Sequence, residues 1–450
     1  MAGYITEFSK YFIALFASFY TYECFAVFRY ETERERSGIY IRQYVFMFLV
    51  HLSCFLPIYI KTGKLEYIFF FIFQQIALYT TTVLYHLIYP QANRLIINNM
   101  CFLTGIGFLI LTRLAYKRAV RQFVIAVCSF VIAFLIPMLI TRVKKWRDLT
   151  WIYGAVGILS LGGVLIMGAV THGAKLSFTV LGLSFQPSEF VKIVFVCMLA
   201  AILCRPVTLW SLTISAAAAG VHVVILALSR DLGSALIYFV AYVVMVYVAT
   251  GKKRYLLAGL LGGGGAAYLS YRIFSHVQVR VQAWLDPWSV IDKEGYQITQ
   301  SLFAIGSGGL FGLGLCQGSP GSIPFVTTDF IFSAIAEELG ILFSLCLILI
   351  YISCFVMIMQ IAMSMRDEFY RLTAVGLGIT YIFQIFLTIG GGIKFIPLTG
   401  VTLPFISYGG SSVLSTIVMF AVLQGIYLTG GRHHAAKKAV AKTEKKEKKS

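Results

Sequence analysis

Long apolar stretches separated by short polar segments make up most of this chain. A membrane-spanning helix needs about 20 predominantly apolar residues, and about thirteen stretches of the sequence meet that requirement. They lie near residues 8–28, 43–60, 66–88, 96–113, 120–141, 151–171, 188–205, 207–229, 231–250, 254–272, 333–363, 371–391 and 409–429. The pattern predicts an all-α polytopic membrane protein with one long connection, residues 273–329.

The composition agrees with a membrane protein and excludes other classes. Hydrophobic residues make up 59% of the chain and charged residues only 12%, whereas soluble domains carry roughly a quarter charged residues. The net charge of +18 therefore does not indicate a nucleic-acid-binding protein. Part of it lies in residues 431–450, which we interpret as a basic cytoplasmic tail that contacts membrane lipids. The nine cysteines form no Cys-x-x-Cys pair, so neither a disulfide framework nor a zinc site is predicted.

Lysine and arginine residues in the short connections predict the orientation. Five basic segments fall on one side of the membrane if the N-terminus is outside: 29–42, 142–147, 252–254, 366–371 and the tail. That side is the cytoplasm, because basic residues are enriched in cytoplasmic loops. One connection violates the pattern, since its basic residues would face outward: Arg113, Lys117, Arg118 and Arg121.

Polar residues collect on the predicted outer side. Five stretches are expected to meet there: the connection before residue 186, 186–189, 229–231, 273–329 and 393–412. The cytoplasmic side receives only short basic connections. Any chemistry is therefore expected at the outer face.

A lone carboxylate, Asp329, lies where the long connection turns into an apolar helix. Ionised groups at membrane helices are costly and tend to be functional. Asp329 could equally cap the helix together with Thr327 or Thr328. Glu337 and Glu338 lie two turns deeper in the same helix, where structural ion pairing is the favoured interpretation.

Two charged pairs are candidate ligand-binding groups. Each pair could instead be a structural ion pair. Glu189 and Lys192 are three residues apart on one helix face, which suits an intrahelical ion pair as well as a phosphate-binding pair. Arg230 and Asp231 carry the same ambiguity.

Further candidates lie in the long connection and in the last outer segment. Arg280, Gln297 and Gln300 accompany Trp and Tyr residues, which either anchor the connection at the lipid headgroups or stack on sugar rings. Residues 397–412 have an irregular pattern at membrane depth, which is tolerated where it lines a cavity. Polar residues there are candidate ligand contacts: Lys394, Ser407 and Tyr408.

Several of these motifs together resemble the SEDS family of FtsW, RodA and SpoVE. In the family's order they are Gln186-Pro-Ser-Glu189, Asp231-Leu-Gly233, Gly295-Tyr-Gln297, Thr328-Asp329-Phe-Ile-Phe332, Glu337-Glu-Leu-Gly340 and residues 397–412. The resemblance covers roughly residues 91–430 with about ten spans. Residues 1–90, with about three more spans, look like an added module.

The resemblance implies a peptidoglycan glycosyltransferase that polymerises lipid II on the outer face of the bacterial cytoplasmic membrane. It implies a role in cell-shape, division or sporulation wall synthesis, with a class B penicillin-binding transpeptidase as a partner. The family's proposed catalytic aspartate falls on Asp329, a suitable base for the acceptor hydroxyl. The outer-face cations would meet the charge of the pyrophosphate leaving group: Lys192, Arg230, Arg280 and Lys394. A divalent cation, Mg²⁺ or Mn²⁺, is a further candidate, with no protein ligands assigned.

The chain departs from the family at two places. Ser177 stands where the family commonly has a Trp, and residues 322–328 lack the Pro-Glu-x-His-Thr of many members. Two other functions stay open. The charged and glycine-broken segments suggest a transporter or flippase of a lipid-linked sugar, and the added spans and basic tail suggest a scaffold for wall synthesis.

Overall fold

The computed structural model describes residues 2–30, 33–143, 145–171, 174–180 and 183–447. The α-helices run in chain order as α1 (Ala2–Ala26), α2 (Glu33–Thr62), α3 (Leu65–Ile88), α4 (Arg94–Leu114), α5 (Tyr116–Arg142), α6 (Thr150–Met167), α7 (Pro187–Leu203), α8 (Leu209–Leu228), α9 (Leu232–Thr250), α10 (Lys253–Ile273), α11 (Ser275–Leu285), α12 (Glu294–Gly308), α13 (Ile331–Ser364), α14 (Glu368–Gly392) and α15 (Gly410–Glu447).

The long helices confirm the predicted polytopic architecture. Eleven helices in the described part of the chain are long and apolar enough to cross a membrane. Two more match predicted spans: α7, which has 17 residues and is largely buried among its neighbours, and α10, which has basic residues at both ends. The helices α4–α10 and α13–α15 form the core, and α1–α3 pack beside it as three added helices.

The segment 273–329 is more ordered than the single long loop that the sequence indicates. It contains α11 and α12, with short 3₁₀ turns at Trp288–Val290 and Pro320–Ser322. The prediction missed α11 because its residues Ser275–Leu285 mostly alternate polar and apolar side chains, the period of a strand. The sequence pattern also missed three short antiparallel strands before α7, which are β1 (Ala169–Thr171), β2 (Ala174–Val180) and β3 (Leu183–Phe185).

The helix α13 is broken at Gly340, and a remote loop fills the break. Gly340 has φ 82° and ψ 174°, a conformation that essentially only glycine adopts. The amides of Leu313 and Gly314 donate to the carbonyls of Glu337 and Glu338 at 2.9 and 3.0 Å, and the amide of Ile341 donates to a carbonyl of the same loop. The loop therefore satisfies backbone groups that would be costly to leave unpaired in a membrane.

The added helices join the core through buried polar side chains. Tyr20 of α1 donates to Asn99 of α4 at 2.9 Å, and Asn99 donates to Ser353 of α13 at 2.9 Å. Asn98 donates to Gln43 of α2 at 2.7 Å. Hydrogen bonds of this kind between helices fix which faces meet in a membrane, where hydrophobic burial does not distinguish lipid from protein.

The last helix extends beyond its predicted span. The span predicted near 409–429 is the first part of α15, which continues through Glu447 into the segment predicted as a tail. Its glycines pack closely against α5: a Cβ on Gly410 would lie 2.7 Å from Ile125, and one on Gly425 would lie 2.8 Å from Ile140. Residues 448–450 lie outside the described residues.

Candidate functional site

One end of the bundle, here called the loop face, carries most of the candidate residues. It consists of residues 113–118, 184–189, 229–231, 274–330 and 393–412. Hydrogen bonds join its segments: the amide of Gln186 donates to Ser411 Oγ at 2.9 Å, Gln186 Nε2 donates to Asp231 Oδ2 at 3.4 Å, and Arg280 Nη1 donates to the Thr399 carbonyl at 3.1 Å. The prediction that these stretches meet at one face is confirmed.

Asp329 lies in a turn that another segment of the loop face holds in place. The amides of Thr328 and Asp329 donate to the carbonyl of Phe325, at 3.0 and 3.2 Å. Tyr408 donates from its amide to the Thr327 carbonyl at 2.7 Å, and Ser407 Oγ donates to the Thr328 carbonyl. The helix α13 begins at Ile331 without a side-chain cap. The residue at the cap position is Phe330, and Asp329 precedes it.

Arg280 faces the same glycine as Asp329. A Cβ placed on Gly400 would lie 3.8 Å from Arg280 Nη2 and 3.8 Å from Asp329 Oδ2. Burial lowers the pKa of Arg280, and the negative charges of Asp329 and Asp231 oppose that shift. Arg280 is thus a half-buried cation that interacts with both carboxylates, and Gly400 leaves room beside it.

Arg118 is the residue of this site that the sequence reasoning missed as a candidate. It lies in the first turn of α5, donates from Nη1 to Thr327 Oγ1, and stands over the Tyr408 ring at 5.4 Å from its centroid. The available signal was the outward basic connection that violated the positive-inside pattern. Arg118 therefore belongs to the polar site at the loop face.

Gln122 of α5 holds the segment that carries Ser407 and Tyr408. Its Nε2 donates to the Ser407 carbonyl at 3.1 Å, and its Oε1 accepts from the Gly409 amide at 3.0 Å. Its polar groups are therefore used for positioning and not for ligand contact.

A second group of charges adjoins Arg280. Asp231 caps α9 by accepting from the Ser234 amide at 3.1 Å, and its other oxygen accepts from Ser188 Oγ at 3.0 Å. Burial raises the pKa of Asp231. Arg230 is exposed, and its charge acts together with that of Arg280 to lower the pKa of His276, where burial is the larger cause.

Glu189 and Lys192 form the intrahelical ion pair that the sequence left as the alternative. Lys192 Nζ donates to Glu189 Oε2 at 2.6 Å and to Gln384 Oε1 at 2.8 Å. Ser415 Oγ donates to the same Glu189 oxygen at 3.2 Å. Both charged side chains are buried, so their contact with a substrate stays a prediction.

Three further candidates lie at the loop face. Gln297 and Gln300 are half-buried on α12, next to Ser301, which bonds Ser333 of α13. Lys394 is half-buried and accepts a hydrogen bond at its carbonyl from Trp284 Nε1 at 3.1 Å. These three stay predictions.

Backbone strain concentrates at the loop face. Among the described residues, positive φ angles outside glycine occur at five positions, all in loop-face segments: Arg230, Cys316, Phe325, Lys394 and Phe405. Such conformations cost energy and cluster at functional sites. They support a functional role for this face.

The position of the missing Trp has an aromatic neighbour. Ser177 is half-buried on β2 and pairs with Ala169 in the register of β1. Phe185, on the adjacent strand β3, is 41% exposed and stacks on Phe190 at 4.8 Å between ring centroids. Phe185 pairs with Phe178, and neighbouring residues of a strand point to opposite sides, so Phe185 does not replace the Trp at the position of Ser177.

The donor set at this site does not form a dedicated metal cage. In the part of the chain that the structure describes, no group of three or more His, Cys, Asp or Glu side chains could hold a metal ion. Arg118 contacts the segment that carries Asp329, and Arg280 shares the neighbour Gly400 with Asp329, so protein-borne positive charge is present at the site. The Mg²⁺ or Mn²⁺ stays a prediction, and no step is assigned to it.

The structure is that of a polytopic membrane protein. Its loop face holds the Asp329 carboxylate and the arginines Arg118 and Arg280, and such a site is suited to anionic ligands. The chain belongs to the FtsW/RodA/SpoVE family: the family model described as "Cell cycle protein" matches residues 93–429. The helices α1–α3 precede the matched region.

Relatives and solved structures agree with this membership. The chain is 32% identical over 372 residues to the peptidoglycan glycosyltransferase RodA of Mycobacterium tuberculosis, covering 75% of this chain and 78% of that protein. It resembles a chain from the structure titled "Structural coordination of polymerization and crosslinking by a peptidoglycan synthase complex", with a TM-score of 0.65, 26% identity, and coverage of 75% and 98%. The crystal structure of Thermus thermophilus RodA gives a TM-score of 0.57 at 26% identity, with coverage of 75% and 96%.

Proposed function

We propose that this protein polymerises lipid II into glycan strands at the extracytoplasmic face of the bacterial cytoplasmic membrane, with Asp329 as the catalytic base. It is a glycosyltransferase of the family whose members are named peptidoglycan glycosyltransferases. The observation that carries the proposal is that Asp329 and Arg280 meet beside Gly400 in the loop face, while Arg118 bonds Thr327, two residues before Asp329.

The reaction needs a base for the acceptor and positive charge for the donor. The Asp329 carboxylate takes the proton of the acceptor sugar's hydroxyl as that oxygen bonds to the anomeric carbon of the donor. The bond from the anomeric carbon to the lipid pyrophosphate breaks with inversion, and the pyrophosphate leaves with the bonding electrons. In this proposal Arg118 and Arg280 stabilise the negative charge that develops there. Asp329 then returns its proton to solvent.

The side of the membrane follows from the distribution of positive charge. The short connections at the other end of the bundle carry the basic residues expected of a cytoplasmic face. The loop face also carries basic residues. Two of them, Arg118 and Arg280, lie near Asp329, where this proposal gives them a role in the reaction. We therefore place the loop face outside the cytoplasm.

The partner we propose is a class B penicillin-binding transpeptidase. Newly polymerised strands need crosslinking, and the similar chain from a peptidoglycan synthase complex belongs to an assembly whose title joins polymerisation with crosslinking. Activity is expected to be greater with the cognate transpeptidase present.

The test compares lipid II polymerisation by the wild-type protein and by Asp329→Asn, each with and without the transpeptidase. Asp329→Asn removes the base while keeping the shape, so product is expected to fall about 100-fold or more. Asp292→Asn is the matched control, because Asp292 is an exposed carboxylate of the same loop face.

Equal product from wild type and Asp329→Asn, at matched thermal stability, would remove Asp329 from the mechanism and direct attention to Asp286. A folded wild-type protein with its partner that forms no product would contradict the glycosyltransferase proposal. Flipping of a lipid-linked sugar in proteoliposomes, or normal wall growth with Asp329→Ala, would then favour the transporter or the scaffold.

A further inference from the structure

The added helices contact the loop face at three points, two of which come from α2 and α3. Lys61, in the last turn of α2, donates from Nζ to the carbonyl of Cys316 at 3.0 Å. Near the start of α3, the Tyr67 ring stacks on Tyr116 with centroids 4.6 Å apart, and Phe70 meets Tyr116 edge-on at 5.5 Å. In both contacts the partner residue, Cys316 or Tyr116, lies within the region that the family model matches, whereas the residues of the added helices precede that region.

The first contact fixes a strained loop. Cys316 has φ 67°, a conformation that neighbouring contacts must hold in place. Two residues later, the Gly318 carbonyl accepts from Arg113 Nη2 at 3.4 Å, and Arg113 also pairs with Glu338 at 3.0 Å. Lys61 thus holds the loop on one side while the end of α4 holds it on the other.

The second contact fixes the corner between α4 and α5. Ala115 interrupts the two helices with φ −158° and ψ 84°, and no side chain caps the start of α5 there. Tyr116 is the first residue of α5, and Arg118 follows in the same turn. Tyr67 and Phe70 therefore pack against the turn that directs Arg118 toward Thr327.

A third contact comes from α1. The Tyr11 ring lies 5.1 Å from the Phe311 ring, and Phe311 belongs to the loop that fills the break in α13. All three added helices therefore contact segments of the loop face. A membrane anchor would not require contacts of this kind at the loop face.

We propose that the ends of α1–α3 at the loop face position Arg118 and the loop 309–322, so that polymerisation depends on the added module. Lys61 and Tyr67 are positioning residues in this proposal, since they act through Cys316 and Tyr116 and do not touch the substrate. The inference rests on the proposed function for its catalytic readout. Its structural readout is independent of that function.

The experiment uses the full-length protein in lipid nanodiscs with four variants. Lys61→Met and Tyr67→Leu remove the two contacts, whereas Lys61→Arg and Tyr67→Phe keep the cation and the ring. Lys64→Met and Phe69→Leu are matched controls, because Lys64 and Phe69 are exposed neighbours of the same types. Turnover at saturating lipid II, the melting temperature and amide hydrogen exchange of residues 309–330 are measured for each.

A misplacement of about 1 Å at a site can cost 100-fold in rate, so Lys61→Met and Tyr67→Leu are expected to lower turnover by about tenfold or more. Exchange is expected to accelerate in residues 309–330 for Lys61→Met, at an unchanged melting temperature. The conservative variants and both controls are expected to behave as wild type.

Wild-type turnover and exchange in both contact variants would overturn the proposal. Faster exchange throughout the bundle, with a lower melting temperature, would also overturn it, because the contacts would then serve overall folding. An inactive wild-type protein would contradict the proposed function, and the exchange measurement alone would then decide the positioning proposal.

Discussion

At the scale of one residue, Arg118 shows how an exception to the usual distribution of basic residues in a membrane protein can indicate a functional site. Arginine on the outer side of a membrane protein opposes the usual charge distribution. Here the Arg118 guanidinium donates a hydrogen bond to Thr327, which lies two residues before Asp329. It also stands over the Tyr408 ring. The local chemistry explains the placement.

We expect Arg118→Met to lower the rate of lipid II polymerisation by about 100-fold, since it removes a positive charge directed at the developing pyrophosphate. Arg118→Lys keeps the charge but loses the planar fork, so it should retain part of the activity. Arg121→Met is the control, because Arg121 is exposed one turn further along the same helix. Equal rates for Arg118→Met and Arg121→Met would contradict the assignment.

Asp329 and Arg118 also show what the sequence could reveal at this scale. Asp329 was predictable because a lone carboxylate precedes an apolar helix within a family motif. Arg118 could not be predicted as a site residue in this way. It lies at the corner between α4 and α5, more than 200 residues before Thr327 in the chain, and only the fold brings the two together. Glu189 and Lys192 could be paired from their spacing alone, and their contact with a substrate stays a prediction.

At the scale of elements, the lengths of the apolar stretches predicted the spanning helices well. They predicted the helices and strands within the loop face poorly. A span is determined by its own residues, so each long apolar run predicted a helix. The break in α13 depends on the loop 309–314, which supplies the missing hydrogen-bond partners from elsewhere in the chain. The alternating residues of α11 indicated no helix, although the structure forms one there.

The break in α13 gives a prediction about stability. Gly340→Ala should destabilise the protein by about 1–3 kcal/mol, because alanine is strained at its φ of 82°. The new Cβ would also lie 2.3 Å from the amide nitrogen of Gly312. The melting temperature should fall, and the turn at Asp329 should lose order because it precedes the displaced half-helix.

Gly264→Ala is the comparison for this change. Gly264 lies within α10, and a Cβ there would meet no atom within 4 Å. Its melting temperature should stay at or slightly above that of wild type, because alanine favours a helix more than glycine does. A Gly340→Ala protein as stable as Gly264→Ala would mean that the break in α13 is not required.

At the scale of the whole molecule, the bundle separates two kinds of polar surface. One end carries short basic connections, and the other carries the strained, hydrogen-bonded segments around Asp329. The added helices reach both ends of the bundle. Near one end, Arg42 Nε of α2 donates to Glu23 Oε1 of α1 at 2.6 Å. At the other end, these helices contact the loop face. Such an arrangement makes the orientation in the membrane a condition for the proposed reaction.

The orientation can be tested by labelling single introduced cysteines with a membrane-impermeant maleimide in intact spheroplasts. Ser322→Cys lies exposed at the loop face, and Lys252→Cys lies exposed in the connection between α9 and α10 at the other end. We expect Ser322→Cys to react in intact spheroplasts and Lys252→Cys to react only after permeabilisation. The wild-type chain is the background control, because its cysteines are largely buried or lie within membrane spans. The reverse pattern would place Asp329 in the cytoplasm, where it could not polymerise glycan strands outside the membrane.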